Sequence, residues 1–127
     1  MKNLKFATCI NCIDGRAQVP AIKLLKRRFA IDYVDMVTEP GPDKILAQNK
    51  NKRIIASIKR RVKISVIKHR SKIIIIAGHY DCAGNPCEEK EHLQQIRKAM
   101  ENMKKWNLNV EIYGIWVDKD LKASLIQ

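Results

Sequence analysis

The sequence predicts an α/β protein, with a mainly parallel central sheet of about four strands covered by helices on both faces. Three observations predict it. Apolar runs of strand length alternate strictly with segments of helical spacing. One run, Lys72 to Gly78, is β-branched almost throughout, the pattern of a strand buried on both faces. Glu39-Pro40-Gly41-Pro42 is a strong break between such segments, and Asn85-Pro86 has the pattern of a helix start.

Taken in order, Leu4 to Ile10 reads as the first strand. Pro20 opens, or sits early in, a helix in which Ala21, Leu24, Leu25 and Arg28 keep helical spacing to about Phe29. Tyr33 to Thr38 reads as the second strand, stopped by Glu39-Pro40-Gly41-Pro42. Asp43 then caps a short helix over Lys44 to Gln48. A longer helix covers Arg53 to Lys68, with Ile54, Ile58 and Val62 on one face, Ile55 and Val66 beside it, and Lys59, Arg60, Lys63 and Arg70 mostly off it. After the third strand, Asn85 reads as an N-cap, Pro86 as the first helical residue and Glu88 as the capping-box acid of a helix reaching about Trp106. Val110 to Val117 reads as the fourth strand. No repeat, linker or low-complexity tract interrupts the chain, so residues 1–127 read as a single domain.

Composition narrows the function classes. A 127-residue chain with 46% apolar and 30% charged residues can bury a real core and is not of the disordered class. The 25 basic residues outnumber the 13 acidic ones, giving a net charge of +12. Such a surface suits anionic partners and equally keeps a small domain in solution. Only 6% of residues are aromatic and no RNA-binding aromatic motif occurs, which disfavours a nucleic-acid platform without excluding one. Lys2 and Lys5 interrupt the apolar start, so no export signal is read, and the longest pure apolar run, Ile73 to Ala77, is too short to span a bilayer. The expectation is a cytoplasmic protein with no membrane partner. In that reducing setting its four cysteines serve metal ligation or burial rather than disulfides.

Two strings carry the chemistry: Cys12-Ile13-Asp14-Gly15-Arg16 and Gly78-His79-Tyr80-Asp81-Cys82. Each follows a predicted strand, and parallel sheets collect ligands outside the carboxyl ends of their strands. Cys12, His79 and Cys82 therefore come within contact range, and two thiolates with one imidazole suit Zn2+. A structural zinc site would close with a fourth Cys or His. Here the added groups are Asp14, which can bind a metal, and Arg16, whose planar fork can hold that carboxylate away from it. Each half has a plainer reading: His-x-x-Cys alone is more often packing or surface, and Asp14–Arg16 alone is a surface ion pair. Cys9-x-x-Cys12 also has the spacing of a redox pair, but Cys9 lies inside a strand and reads as a small buried apolar residue. Cys87, near a helix N-terminus, is open to packing, reactivity or ligation, so a four-ligand structural zinc using Cys9 or Cys87 stays open. His69 and His92 read as solvated, Trp106 and Trp116 as packing anchors, and Glu88, Glu89 and Glu91 as complements to a helix dipole.

Cys-x-Asp-x-Arg followed by His-x-x-Cys behind an apolar strand resembles the β-class carbonic anhydrases. The likeness extends over nearly the whole chain, including residues 64–84. The resemblance implies a β-carbonic-anhydrase-like fold with Cys12, His79 and Cys82 as zinc ligands. It implies Asp14 and Arg16 as the catalytic dyad, with Asp14 the fourth ligand in a closed state. It implies hydration of carbon dioxide to bicarbonate by hydroxide generated at the zinc, with Tyr80 or buffer taking the proton, in a homo-oligomer of two or more copies. Two departures are expected to matter. The family's N-terminal helical arm has no counterpart before the first strand, so assembly would use other surfaces. Thr38 to Asp43 stands where the family carries an Arg-x-Ala-Gly-Asn-like segment. Two rival readings share the same metal: hydration of another small electrophile such as carbonyl sulfide or carbon disulfide, and a non-catalytic zinc protein binding nucleic acid through Lys59, Arg60, Lys63 and Arg70.

Overall fold

Four parallel strands and one antiparallel strand form a single sheet in order β2-β1-β3-β4-β5, in a computed structural model that describes residues 3–126. The elements run β1 (Phe6–Cys12), α1 (Gly15–Phe29), β2 (Tyr33–Glu39), α2 (Pro42–Gln48), α3 (Lys52–Lys63), β3 (Ile73–His79), α4 (Glu89–Lys104), β4 (Glu111–Val117) and β5 (Ala123–Ile126). Between α3 and β3 the helix widens into a π-turn over Ile64–Lys68. The chain steps outward from β1 to β2, then crosses back to place β3 on the other side of β1. That reversal makes the β1/β3 boundary a topological switch point, where a crevice opens at the strands' carboxyl ends.

Side-chain alternation along the strands divides the core. Ala7 and Cys9 of β1, with Ile75 of β3 and Ile115 of β4, pack against Ala21, Leu24 and Leu25 of α1. Ile10, Ile74 and Ile76 pack on the other face against Ile58, Val62 and Ile96 of α3 and α4. Ile74, Ile75 and Ile76 are wholly buried, each stabilising the fold by about 1.5–3 kcal/mol on the area scale. This two-sided burial is why the third predicted strand lacks alternation. No helix among the described residues is long and apolar enough to cross a membrane.

The α/β class, the mainly parallel sheet and the order of elements agree with expectation; the differences are local. α1 starts at Gly15 rather than near Pro20, because Asp14 caps it by accepting a hydrogen bond from Arg16 N at 2.9 Å. Pro20 lies inside that helix. α2 starts at Pro42, so Asp43 is within the helix and buried instead of capping it. The buried face of α3 uses Ile55, Ile58 and Val62, with Ile54 only partly covered. Asn85 caps nothing: α4 begins four residues later at Glu89, and Glu88 at its N-cap makes no side-chain capping bond. A short fifth strand joins the sheet by pairing Ala123–Ile126 antiparallel to β4. Its four residues follow a charged turn and give too little alternation to read as a strand.

Candidate metal centre

The site grows from the ends of β1 and β3. Cys12 is the last residue of β1, and its backbone N–H donates to Asn11 Oδ1 at 2.7 Å. Asn11 reaches from the same strand to donate to Ala17 O at 3.0 Å, tying the strand end to α1. His79 ends β3, and its ring Nδ1 is 2.8 Å from Tyr80 O, so that carbonyl accepts the Nδ1 proton and leaves Nε2 as the free lone pair. Cys82 follows in the turn after the strand. All three side chains are buried, and their ligand atoms lie within 4.8 Å of one another. Cys9 packs in the core against α1, and Cys87 lies outside the cluster. The pairing of Cys12 is therefore with Cys82, whose Sγ is 3.8 Å from its own.

The turn after β2 and the turn after β3 are pressed together beside these ligands. Gly41 has φ +61°, and a Cβ on it would come within 2.8–2.9 Å of Asn85 and Gly84. A Cβ on Gly84 would meet Pro40 C at 2.7 Å. Only hydrogen fits at either contact, so the Pro40-Gly41-Pro42 segment is built for close approach. Beneath it lies a buried polar network that the sequence reading did not anticipate. Asp43 Oδ2 is 2.6 Å from His92 Nδ1, and Asp43 Oδ1 accepts from Asn85 Nδ2 and from Lys44 N, both at 3.0 Å. Asn85 Nδ2 also reaches Gln95 Oε1 at 2.6 Å. Asp43 and His92 are each 1% exposed, so His92 is a core residue and not the solvated one expected. A Cβ on Gly78, next to His79, would fall 2.7 Å from Asp43 Oδ2. The network therefore abuts the strand that ends in His79 and holds the loop that follows Cys82.

Asp14 and Arg16 stand at the rim. Arg16 Nη2 donates to Asp14 Oδ2 at 2.7 Å and Nε to Oδ1 at 3.1 Å, a two-pronged grip. Arg16 Nη2 also donates to Asp81 O at 3.2 Å, which anchors the guanidinium to the turn between His79 and Cys82. Asp14 Oδ2 is 4.0 Å from His79 Nε2, beside the ligand cluster and held by the arginine. The grip of Arg16 lowers the Asp14 carboxyl to about 2, and the same contact raises the Arg16 guanidinium.

Electrostatics and geometry both fit a bound cation. Burial pushes the Cys12 thiol up, but attraction to His79 and the N–H groups of Gly41 and Asp14 outweigh it and bring it down to about 7. Burial, and then the charge of Cys12, push Cys82 up to about 12. Burial disfavours the charged form of His79, yet its contact with Cys12 raises it on balance. Two thiolates side by side are costly until a cation lies between them. His79 Nε2 is buried and has no hydrogen-bond partner. Two sulfurs at ~2.3 Å from one tetrahedral zinc would stand about 3.8 Å apart, the separation of Cys12 and Cys82 here. A recess of about 80 Å³ beside the cluster is bounded by Arg16, Ala17, His79, Tyr80, Val117 and Leu121. A wider cleft of about 670 Å³ opens on the Cys82 side toward Cys87, Glu88 and Trp116.

The remaining residues noted in the sequence lie elsewhere. His69 pairs with Asp35 at 2.6 Å and stacks on Phe6 at the opposite end of the sheet. Trp116 is a core residue, and Trp106 packs against the core with Lys59 above its ring. His92 did carry a signal, since it recurs with Ile96, Ala99 and Met103 on the buried stripe of α4. Asp43 carried none, because an acid just after Pro-Gly-Pro has the pattern of a helix cap.

Residues 2–127 match the family model described as "Putative carbonic anhydrase". Among solved structures, a carbonic anhydrase from Glaciozyma antarctica is similar at 12% identity, with a TM-score of 0.62 over 94% of this chain and 81% of that one. One of two tetrameric β-carbonic anhydrases from Sordaria macrospora is similar at 13% identity and a TM-score of 0.53, over 99% of this chain and 82% of that one. A β-carbonic anhydrase of Aspergillus fumigatus is similar at 16% identity and a TM-score of 0.53, over 99% of this chain and 76% of that one. No curated protein sequence matches the chain.

Proposed function

The chain belongs to this carbonic anhydrase family, and on that premise we propose that it is a zinc-dependent hydratase converting carbon dioxide to bicarbonate. The observation that carries the reading is the convergence of Cys12, His79 and Cys82, with an unpartnered Nε2, beside a carboxylate held by its own arginine. Cys12, His79 and Cys82 would hold the zinc. When bound, zinc lowers the pKa of a water to about 7 and so supplies a nucleophile at neutral pH.

The chain's own residues do the rest. Arg16 keeps both Asp14 oxygens engaged beside the ligand cluster, which would leave a coordination position for water. Asp14, lowered to about 2, stays a carboxylate at working pH and can accept a hydrogen bond from the nucleophile, orienting its lone pair toward the substrate. The recess beside His79 is of a size for a triatomic substrate. Tyr80, more than half exposed at the mouth, can pass the released proton to buffer. Release of Asp14 by Arg16 would let the carboxylate take the open position and shut the site. Exposed Ile13 and Val19 at the start of α1 favour assembly of copies beside the mouth, leaving it open, and residues 1–127 would act as one domain within that assembly.

The test is stopped-flow carbon dioxide hydration on metal-quantified protein, at neutral and alkaline pH, with Cys82→Ala beside it. The expected result is one zinc per chain and turnover that disappears with the metal in the variant. Zinc without turnover at either pH would reject the substrate, and absence of zinc would reject the centre.

A further inference from the structure

The exposed large apolar side chains of the described residues fall at two places, and one of them has no part in the metal site. Ile64 and Ile67 are 47% and 64% exposed, on the side of the helix turned away from Ile55, Ile58 and Val62. They stand where the chain approaches the start of β3, at the sheet edge opposite the ligands. Leu4 and Tyr33 are exposed at the same edge. The Phe6 ring joins the two regions, stacking on His69 at 4.4 Å and tilting against Tyr33 at 5.2 Å.

Cations surround these isoleucines. Arg60, Lys63, Lys68 and Arg70 are all exposed, and none is held in an ion pair among the described residues. The nearby acids are already engaged: Asp32 accepts from Lys5 N at 2.8 Å, and Asp35 binds His69. The last turn of α1 adds Lys26, Arg27 and Arg28 at the same edge. Cations there complement helix dipoles, so charge alone would not call for a ligand. The dipole does not explain branched apolar side chains left in water among them.

We propose that this edge docks on the surface of an anionic lipid bilayer, with Ile64 and Ile67 entering the headgroup region and Arg60, Lys63, Lys68 and Arg70 facing acidic lipids. An apolar strip flanked by lysine and arginine on one helix face is the arrangement that binds such surfaces in plane. Charge separates this occupant from a second copy of the chain, which would set cations against cations. Ile64 and Ile67 favour it over nucleic acid since, unlike Tyr33 at the same edge, they offer neither a stacking plane nor a hydrogen bond to a phosphate strand. The expectation of no membrane partner rested on the lack of a spanning segment, which bears on insertion and not on surface docking. Docked in this way, the molecule keeps the metal-site mouth at the far edge of the sheet, facing water. The proposal is independent of the reaction assigned to that site.

The test is co-sedimentation of the full chain with phosphatidylcholine vesicles, with and without phosphatidylserine. Binding is expected only with phosphatidylserine, and it should weaken as salt rises. Ile64→Ser with Ile67→Ser should weaken it at least about tenfold, and Lys63→Glu with Lys68→Glu by a similar factor. Lys90→Glu, at the opposite edge on the first turn of α4, should leave it unchanged. Circular dichroism of each variant separates loss of docking from loss of fold. No binding to anionic vesicles would overturn the proposal. So would full binding by the isoleucine variant, or tighter binding to a DNA duplex than to vesicles.

Discussion

Replacing Asp43 with alanine tests whether the buried network beside the ligands supports the fold and the metal site. The carboxylate accepts from His92 Nδ1 at 2.6 Å, Asn85 Nδ2 at 3.0 Å and Lys44 N at 3.0 Å. Its removal leaves those donors without their acceptor in a place where Asp43 and His92 are each 1% exposed. Breaking a buried pair by deleting one partner costs about 3–5 kcal/mol. The individual lost bonds, at about 1–3 kcal/mol each, are not additive to that figure. Against a total stability of about 5–15 kcal/mol this is about a fifth of the whole or more. In urea, with a slope near 2 kcal/mol per molar, the midpoint should fall by about 2 M. Asp35→Ala, which removes the partner of exposed His69, is the control and should cost about 1 kcal/mol or less. The metal centre should feel the first change too, with zinc affinity weakened about 10–100-fold as the Cys82 loop loses its anchor. If Asp43→Ala unfolds at the midpoint of the control, or if Asp43→Ala and His92→Ala add without coupling, the network does not do what its geometry says.

Other expectations follow from the dyad and the ligands. Asp14→Ala should retain one zinc per chain by atomic absorption while turnover drops by about 10²–10⁴, the usual range for a positioned acid–base group. Arg16→Ala should also abolish turnover, but a chelator competition should show zinc held more tightly because Asp14 is free to ligate. The Arg16 grip depresses Asp14 from 3.8 to about 2, so the pair's contribution to stability is present above about pH 4 and lost as pH falls toward 2. Urea midpoints of the protein and of Asp14→Asn should differ slightly at neutral pH and converge below that window. With Cys82 raised to about 12 and Cys12 lowered to about 7, zinc added to metal-free protein at pH 8 should release about one proton from this thiol pair, and more at pH 6. A proton yield independent of pH, read with an indicator dye, would count against these ionisation states.

The course of the chain is legible in the sequence wherever burial is periodic. Ile73 to Ala77 is apolar without a break because β3 is covered on both faces, and Ala21, Leu24 and Leu25 repeat because α1 lies on the sheet. The convergence of Cys12, His79 and Cys82 is legible because they close strands or follow one, where topology decides what meets. Legibility fails where one residue serves two purposes. Asp14 has the look of site chemistry, yet it is also the cap that starts α1 before Pro20. Asn85 has a capping pattern with Pro86 and Glu88, but its amide is drawn inward to Asp43 and Gln95, and the helix starts later. A buried carboxylate that bonds across 42 and 49 residues of chain leaves no local trace. β5 is missed for a simpler reason, since a four-residue edge strand is defined by its partner more than by itself.

The contact between Gly41 and Gly84 has a further consequence, for the kinetics of metal exchange. One segment supplies an N–H to Cys12 and the other follows directly on Cys82, and their backbones touch with no side chain between them. With zinc held by Cys12 and Cys82 as proposed, shifting either segment would disturb the other, so a chelator should not strip the ligands independently. Release is then expected when both turns lift together, a local opening that would also strain the Asp43–Asn85 bond. Exchange of zinc should therefore proceed at the pace of that opening and level off as chelator is raised, a property written in two missing methyl groups.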